Sequence, residues 1–293
     1  MTIETVSDAV GAFGVLYQGR DPHVRVKLQW WMHQLGPDRP LSAVTPDDID
    51  EGLRVLIGSP ANTYRRGVGV VTAKKQRSNG TINKYVAALG TMYKVLKLHR
   101  RLPRSFVSPV VKGLMLPLPQ GKTLTVSISD VIRLVDAARL SSNRKLPALI
   151  AVACTTGLRK SNIQQITWGS VDLKTRVIDV AKTKNGTPMR SVIPVWACKE
   201  LSRIRPVSPA PDMPVFDKRE FKKALATALD RAGLPSTWTF HSLRHVAASI
   251  LAQSGASLIE VMSCLNHKTP GMALRYSHLN TTALDTAMTK AWG

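Results

Sequence analysis

Apolar positions recur at helical spacing through the first part of the chain. Over 81–97, Ile82, Tyr85, Val86, Leu89, Met92, Tyr93 and Leu96 fall on one stripe, while Lys84, Lys94 and Lys97 lie off it. Such a stripe is buried only against other elements, which leaves the lysines facing outward. The pattern stays helical over 28–101, and Thr45-Pro46 followed by Asp47 and Asp48 reads as the capped start of a further helix. Over 116–123 the run Leu-Pro-Leu-Pro-Gln-Gly-Lys-Thr breaks every period, because proline removes a backbone donor and glycine adds freedom. A small basic helical domain over 1–116, an extended linker over 117–124 and a second domain over 125–293 are therefore expected.

The second domain reads as mostly helical. Ser129 and Asp130 precede Val131, Ile132, Leu134 and Val135, and the stretch 146–156 is apolar nearly all round, which predicts a buried helix ended by Gly157. Residues 176–181 and 189–195 are rich in β-branched side chains and flank Asn185-Gly186, a hairpin signal, so one small antiparallel sheet is expected. Asp217 and Glu220 form a capping-box pattern before Phe221, Ala224, Leu225, Ala228 and Leu229, with Gly233 closing that helix. Leu243, Val246, Ala247, Ile250 and Leu251 make the apolar face of the next, Ser257 and Glu260 cap another, and Thr269-Pro270 opens one containing Tyr276. The expected fold class is mainly α, a helical first domain joined to a mostly helical α+β domain.

Charge changes the picture more than composition does. Lys and Arg number 41 against 19 Asp and Glu, a net charge of +22, where solubility alone calls for about 2 to 8. A surface of that kind neutralises phosphates and releases counterions, so the expected partner is nucleic acid. Neither a long apolar run nor a secretory signal is present, and the chain is expected to be cytoplasmic and nucleoid-associated, with no membrane partner. Cys154, Cys198 and Cys264 are odd in number and lack metal-type spacing, so they read as reduced, packed thiols.

Several polar residues could carry chemistry. His241 and Arg244 are three apart on a helix and project from one side, presenting an imidazole beside a guanidinium. That suits a phosphate clamp with an adjacent acid/base group, and equally the solvated face of a basic helix. His241 and His245 have metal-ligand spacing, but Ser-Leu-Arg between them lacks the Glu that a zinc hydrolase needs, so no metal is expected. Arg159 stands two residues beyond Gly157, anchored by the buried helix behind it. Lys184 directly precedes the hairpin signal, where its ammonium could reach a neighbouring cleft; Lys182 is its rival. His267 ends a capped helix and Tyr276 follows nine residues later. Each alone reads as well as packing or as a solvated charge; together, in separate elements of one basic domain, they suggest a site.

Three segments make the resemblance specific. Thr155-Thr156-Gly157-Leu158-Arg159, His241-Ser242-Leu243-Arg244-His245, and Leu265-Asn266-His267 followed by Arg275-Tyr276 resemble, in order and spacing, the signature boxes of the tyrosine site-specific recombinases, the phage-integrase type. The segment 81–89 is similar to the last long helix of that family's core-binding domain, so the likeness covers most of the chain. It implies a SAM-like core-binding domain, then a catalytic domain with a C-terminal tail, acting as a DNA strand transferase that cleaves and rejoins strands through a 3′-phosphotyrosine. It implies Arg159 and Arg244 on the scissile phosphate, His241 and His267 as the histidines with His241 taking the phenolic proton, Tyr276 as nucleophile, and Lys184 as general acid with Lys182 left open. Lys84, Lys94, Lys97 and Lys182 are candidate DNA contacts. No cofactor or metal is implied, and the assembly implied is a homotetramer on two DNA duplexes, monomeric or weakly dimeric off DNA. The tail over 277–293, with Leu279, Leu284, Met288 and Trp292, is expected to dock on a neighbouring protomer.

The chain departs from the family's pattern twice. Asn162 stands where an acidic residue usually follows the first arginine by three, and Asn266 replaces the usual glycine before the second histidine, a substitution Asn tolerates in a left-handed backbone. Little chain precedes the core-binding helices, as expected of an Xer-like, Cre-like or mobile-element enzyme. Two other readings compete. A non-catalytic DNA-binding protein would use 257–278 as a helix-turn-helix. A type IB topoisomerase would share the chemistry without a fixed site; the small size and the N-terminal helix argue against it.

Overall fold

The computed structural model describes residues 3–19, 21–65, 69–119, 124, 126–181, 186–217, 221–279 and 281–292. They fall into two compact units, Met1–Gln120 and Gly121–Gly293.

The first unit holds α1 (Val6–Leu16), α2 (Val24–Leu35), α3 (Pro46–Gly58), strands β1 (Pro60–Arg65) and β2 (Gly69–Gln76), and α4 (Asn79–Leu98). Capping sets the helix starts. Thr5 with Asp8 and Thr45 with Asp48 form capping boxes, and the Ser78 hydroxyl accepts the Thr81 N–H. Phe13, Leu28, Trp31, Ile49, Leu56, Ile82, Leu89, Met92 and Leu96 are fully buried, and the Trp31 indole donates to the Tyr85 carbonyl at 2.9 Å. Lys84, Lys94 and Lys97 are exposed on α4, and Lys97 donates to the Phe106 carbonyl at 3.0 Å.

The antiparallel ribbon β1–β2, with Asn62 opposite Thr72 and Tyr64 opposite Val70, interrupts what the periodicity reads as continuous helix. A two-stranded ribbon contributes no long stripe, so the strong periods of α3 and α4 on either side mask it. The proline-rich segment starts as a strap on α4: the Asn83 amide donates to the Leu116 carbonyl (2.9 Å) and accepts its N–H (2.8 Å), and Asn79 donates to the Pro117 carbonyl (2.8 Å).

The second unit contains α5 (Ile128–Arg139), α6 (Leu146–Thr156), α7 (Lys160–Ile163), β3 (Val171–Asp172), β4 (Val177–Val180), β5 (Met189–Val192), α8 (Val195–Ile204), α9 (Lys222–Arg231), α10 (Phe240–Gln253), α11 (Leu258–Leu265) and α12 (Thr281–Trp292). Helix α6 is buried over nearly its whole circumference and packs on α5, α8 and α10. The sheet has order β3-β4-β5 and is antiparallel, with Val177 opposite Val192 and Val180 opposite Met189.

Three local expectations are corrected. Helix α5 is capped by Ser127 with Asp130, two residues before the expected start. Helix α9 begins at Lys222 with Phe221 as an uncapped N-cap; Asp217, expected to cap it, lies instead 3.5 Å from the Lys145 ammonium, and Glu220 is outside the described residues. The segment opened by Pro270 is two 3-10 turns, Pro270–Met272 and Leu274–Leu279, because its N–H groups reach back three residues, Ala273 to Pro270 and Tyr276 to Ala273. Among the described residues no helix is long and apolar enough to cross a membrane.

Candidate active site

Two helix C-termini converge on one side chain. Helix α6 ends at Gly157 in the left-handed region (φ 60°), and α11 ends at Asn266 in the same region (φ 48°). The last carbonyls of a helix have no intrahelical partner and carry the negative end of its dipole. From α10, Arg244 donates to the Gly157 carbonyl at 2.5 Å and to the Leu265 carbonyl. The guanidinium is thereby fixed, with Arg244 only 4% exposed. Burial, reinforced by the positive charge of Arg159, lowers its pKa to about 10, so it stays cationic at neutral pH.

Arg159 follows from the turn after α6. The Thr156 hydroxyl donates to the Val152 carbonyl (2.6 Å) and accepts the Leu158 N–H (3.2 Å), while the Leu158 side chain is buried, which holds the backbone on which Arg159 stands. Among the described residues, Arg159 Nη1 and His267 Nδ1 are buried without a hydrogen-bond partner. Unsatisfied buried polar atoms are costly, and both of these lie in the field of Arg244, so a ligand offering them hydrogen bonds would relieve that cost.

The nucleophile candidate sits beside α10. Tyr276 is 2% exposed, packed among Ala248, Ala252, Val261, Leu265 and Ala273, and its hydroxyl lies 2.5 Å from Nδ1 of His245. The His245 ring meets that of His241 edge to face, centroids 4.8 Å apart. Burial raises the Tyr276 pKa, although Arg275 and Arg244 pull it down. Burial, followed by His241, Arg275 and Arg244, lowers that of His245 to about 4. His267 also falls to about 4, through burial and then Arg244, Arg159, Arg275 and His245; His241 falls through burial and the same three arginines. At neutral pH the site thus holds neutral imidazoles and a neutral phenol inside a cationic frame.

Arg159, His241, Arg244, His267 and Tyr276 are therefore brought into one electrostatic neighbourhood. Lys182 and Lys184 lie outside the described residues. Thr187, which is described, accepts from the Asn266 amide at 3.3 Å. Lys84, Lys94 and Lys97 belong to the other unit. Asn162 is buried, at 3% exposure. Sequence reasoning missed His245, weighed only as a metal ligand, and Arg275; their signals were the four-residue step from His241 and adjacency to Tyr276.

The phage integrase family model matches residues 126–283. The chain is 27% identical over 191 residues to the integrase of Salmonella phage P22, covering 59% of this chain and 47% of that one. It is 24% identical over 238 residues to the shufflon-specific DNA recombinase of Escherichia coli, covering 81% and 60%. The chain thus spans about half of the first and three fifths of the second. Among solved structures, the Tn1549 transposon integrase in complex with a circular intermediate DNA has a similar fold, with a TM-score of 0.70 at 16% identity over 98% of this chain and 99% of that one. The matched region is more than half of the sequence and contains all three motif segments and the arginine-bordered tyrosine: the chain belongs to the phage integrase family.

Proposed function

We propose that this chain is a site-specific DNA recombinase that cuts and rejoins strands through a 3′-phosphotyrosine on Tyr276. The carrying observation is a buried phenol hydrogen-bonded to an imidazole, together with the fixed Arg244 and two unpartnered buried nitrogens, one each on Arg159 and His267. A phosphodiester supplies what that frame lacks. Arg159, Arg244 and His267 contact its non-bridging oxygens and stabilise the charge that grows on them as phosphorus becomes pentacoordinate, an effect worth about 10²–10³ in rate per positioned donor. The Tyr276 oxygen bonds to phosphorus and gives its proton to the imidazole pair on α10. The bond to the 5′ oxygen breaks, and Lys184, with Lys182 as the alternative, protonates that leaving group. The phosphotyrosine keeps the bond energy, so a 5′-hydroxyl from another strand reverses the attack and reseals.

The substrate is double-stranded DNA, in keeping with the net charge of +22 and with acidic-polymer binding at exposed lysines such as Lys84, Lys94 and Lys97 on α4. The first unit serves as the core-binding clamp over 1–116, 117–124 as the linker, and four protomers act on two duplexes in the cytoplasm. Met288 and Trp292, exposed on α12, then pack on a neighbouring protomer.

Nicked suicide duplexes carrying the flanks of the encoding element, resolved on a denaturing gel, test this reading. Wild type forms a covalent adduct and Tyr276→Phe forms none. A wild-type chain that shifts the same duplex without an adduct is a DNA-binding protein only, and one that relaxes any supercoiled plasmid is a type IB topoisomerase.

A further inference from the structure

Two imidazoles on α10, His241 and His245, are placed near the phenol that must lose its proton. We infer that His245, rather than His241, takes that proton as Tyr276 bonds to phosphorus, so that His245 is a catalytic residue of the reaction. The inference rests on the reading of Tyr276 as nucleophile.

Geometry separates the two rings. Nδ1 of His245 is 2.5 Å from the Tyr276 hydroxyl, within the reach a general base requires. The His241 ring is 4.8 Å from the His245 ring and nearly perpendicular to it at 81°, and among the described residues no hydrogen bond joins it to the phenol. His241 is exposed, whereas His245 is half-buried behind it. Among the described residues, His245 is therefore the imidazole in hydrogen-bond contact with the phenol. Tyr276 comes from a 3-10 turn and His245 from the second turn of α10, and the small residues Ala248, Ala252 and Ala273 let the turn approach that helix closely.

Protonation states agree with this assignment. The groups that act on His245 are His241 and Arg244 on its own helix and Arg275 and Tyr276 on the facing turn. Burial first, and then the positive charge around the ring, keep the imidazole neutral, and in one neutral tautomer Nδ1 accepts while Nε2 carries the hydrogen. An arriving phosphodiester offsets part of that positive charge and raises the basicity of the ring when it is needed. The electron pair of the phenolic O–H forms the O–P bond, its proton moves to Nδ1, and the pair of the breaking P–O bond leaves with the 5′ oxygen, which the general acid of the proposed reaction, Lys184 or Lys182, protonates.

The test combines two changes. His245→Asn places an amide near the position of Nδ1, preserving a hydrogen bond to the phenol without a titratable base; His245→Gln is the second variant. Single-turnover adduct formation on a suicide duplex is measured for each, with Tyr276 either natural or replaced site-specifically by a fluorinated tyrosine of lower pKa. Duplex affinity and thermal melting of the same samples show that each variant is folded. Loss of a general base is expected to slow natural Tyr276 about 10²-fold or more, and the fluorinated phenol, already ionised, recovers most of that loss. His241→Gln is expected to slow cleavage less.

Cleavage at the wild-type rate or faster in folded His245→Asn and His245→Gln overturns the inference, as does a deficit equally large with either phenol, which marks a packing role. In both cases the wild-type adduct still stands for the recombinase reading. Absence of that adduct, in contrast, removes the recombinase reading itself.

Discussion

A δ-methyl of Leu265 lies 2.5 Å from where a first side-chain carbon on residue 157 would stand, and Gly157 holds a φ of +60°. A carbon there would push the buried Leu265 side chain aside where α11 meets the end of α6. Gly157→Ala meets both a steric clash and left-handed strain, so a loss of about 2–4 kcal/mol in unfolding free energy is expected from denaturant titration. Adduct formation should fall further than stability does, since the displaced carbonyl is a partner of Arg244.

Arg244→Lys keeps the positive charge and loses the fork that joins the Gly157 and Leu265 carbonyls. Leaving them unmatched costs about 1–3 kcal/mol of stability. Single-turnover cleavage is expected to drop about 10²–10³-fold, while duplex affinity in a gel-shift titration changes little, because many other cations hold the backbone.

Asn266 already has a left-handed backbone, so Asn266→Gly keeps the chain path and removes the amide that touches Thr187. Melting is expected to stay within about 1 kcal/mol of wild type. Cleavage is expected to slow, because the amide holds Thr187, which follows Lys184 in the sequence by three residues. A duplex with sulfur in place of the 5′ bridging oxygen, whose departure needs no proton, then restores the rate; an unrestored rate would assign Asn266 to the His267 side instead.

Asp48 caps α3 and accepts from Arg39 at 2.8 Å through both oxygens, and these bonds with the Thr45 cap hold its pKa down to about 2. A carboxyl depressed on folding stabilises above its unfolded pKa and loses that contribution as pH falls through the folded value. Stability from this group should thus be complete at neutral pH and decline between about pH 4 and pH 2. Asp48→Asn is expected to cost about 1 kcal/mol at pH 7 and to flatten this acid limb, read by thermal melts across pH.

Features with a local cause were legible in the sequence. The α4 stripe, the Thr45 cap, the all-round apolar α6 and its Gly157 stop each depend on neighbours within a turn or two. The β1–β2 ribbon was not, for lack of a stripe, nor was the true start of α9, where the acid at Asp217 pairs with Lys145 across the fold. His245 shows the same limit at the site. Its partner is 31 residues away and arrives by a 3-10 turn that no period announces, whereas Arg159, Arg244 and His267 were carried by their motif neighbours.

The guanidinium of Arg244 also fastens the ends of α6 and α11 together. Until those two helix ends meet, neither carbonyl is there to fix the guanidinium. Assembly of the candidate site is thus tied to completion of the domain's packing, and one side chain serves both as a structural rivet and as a member of that site.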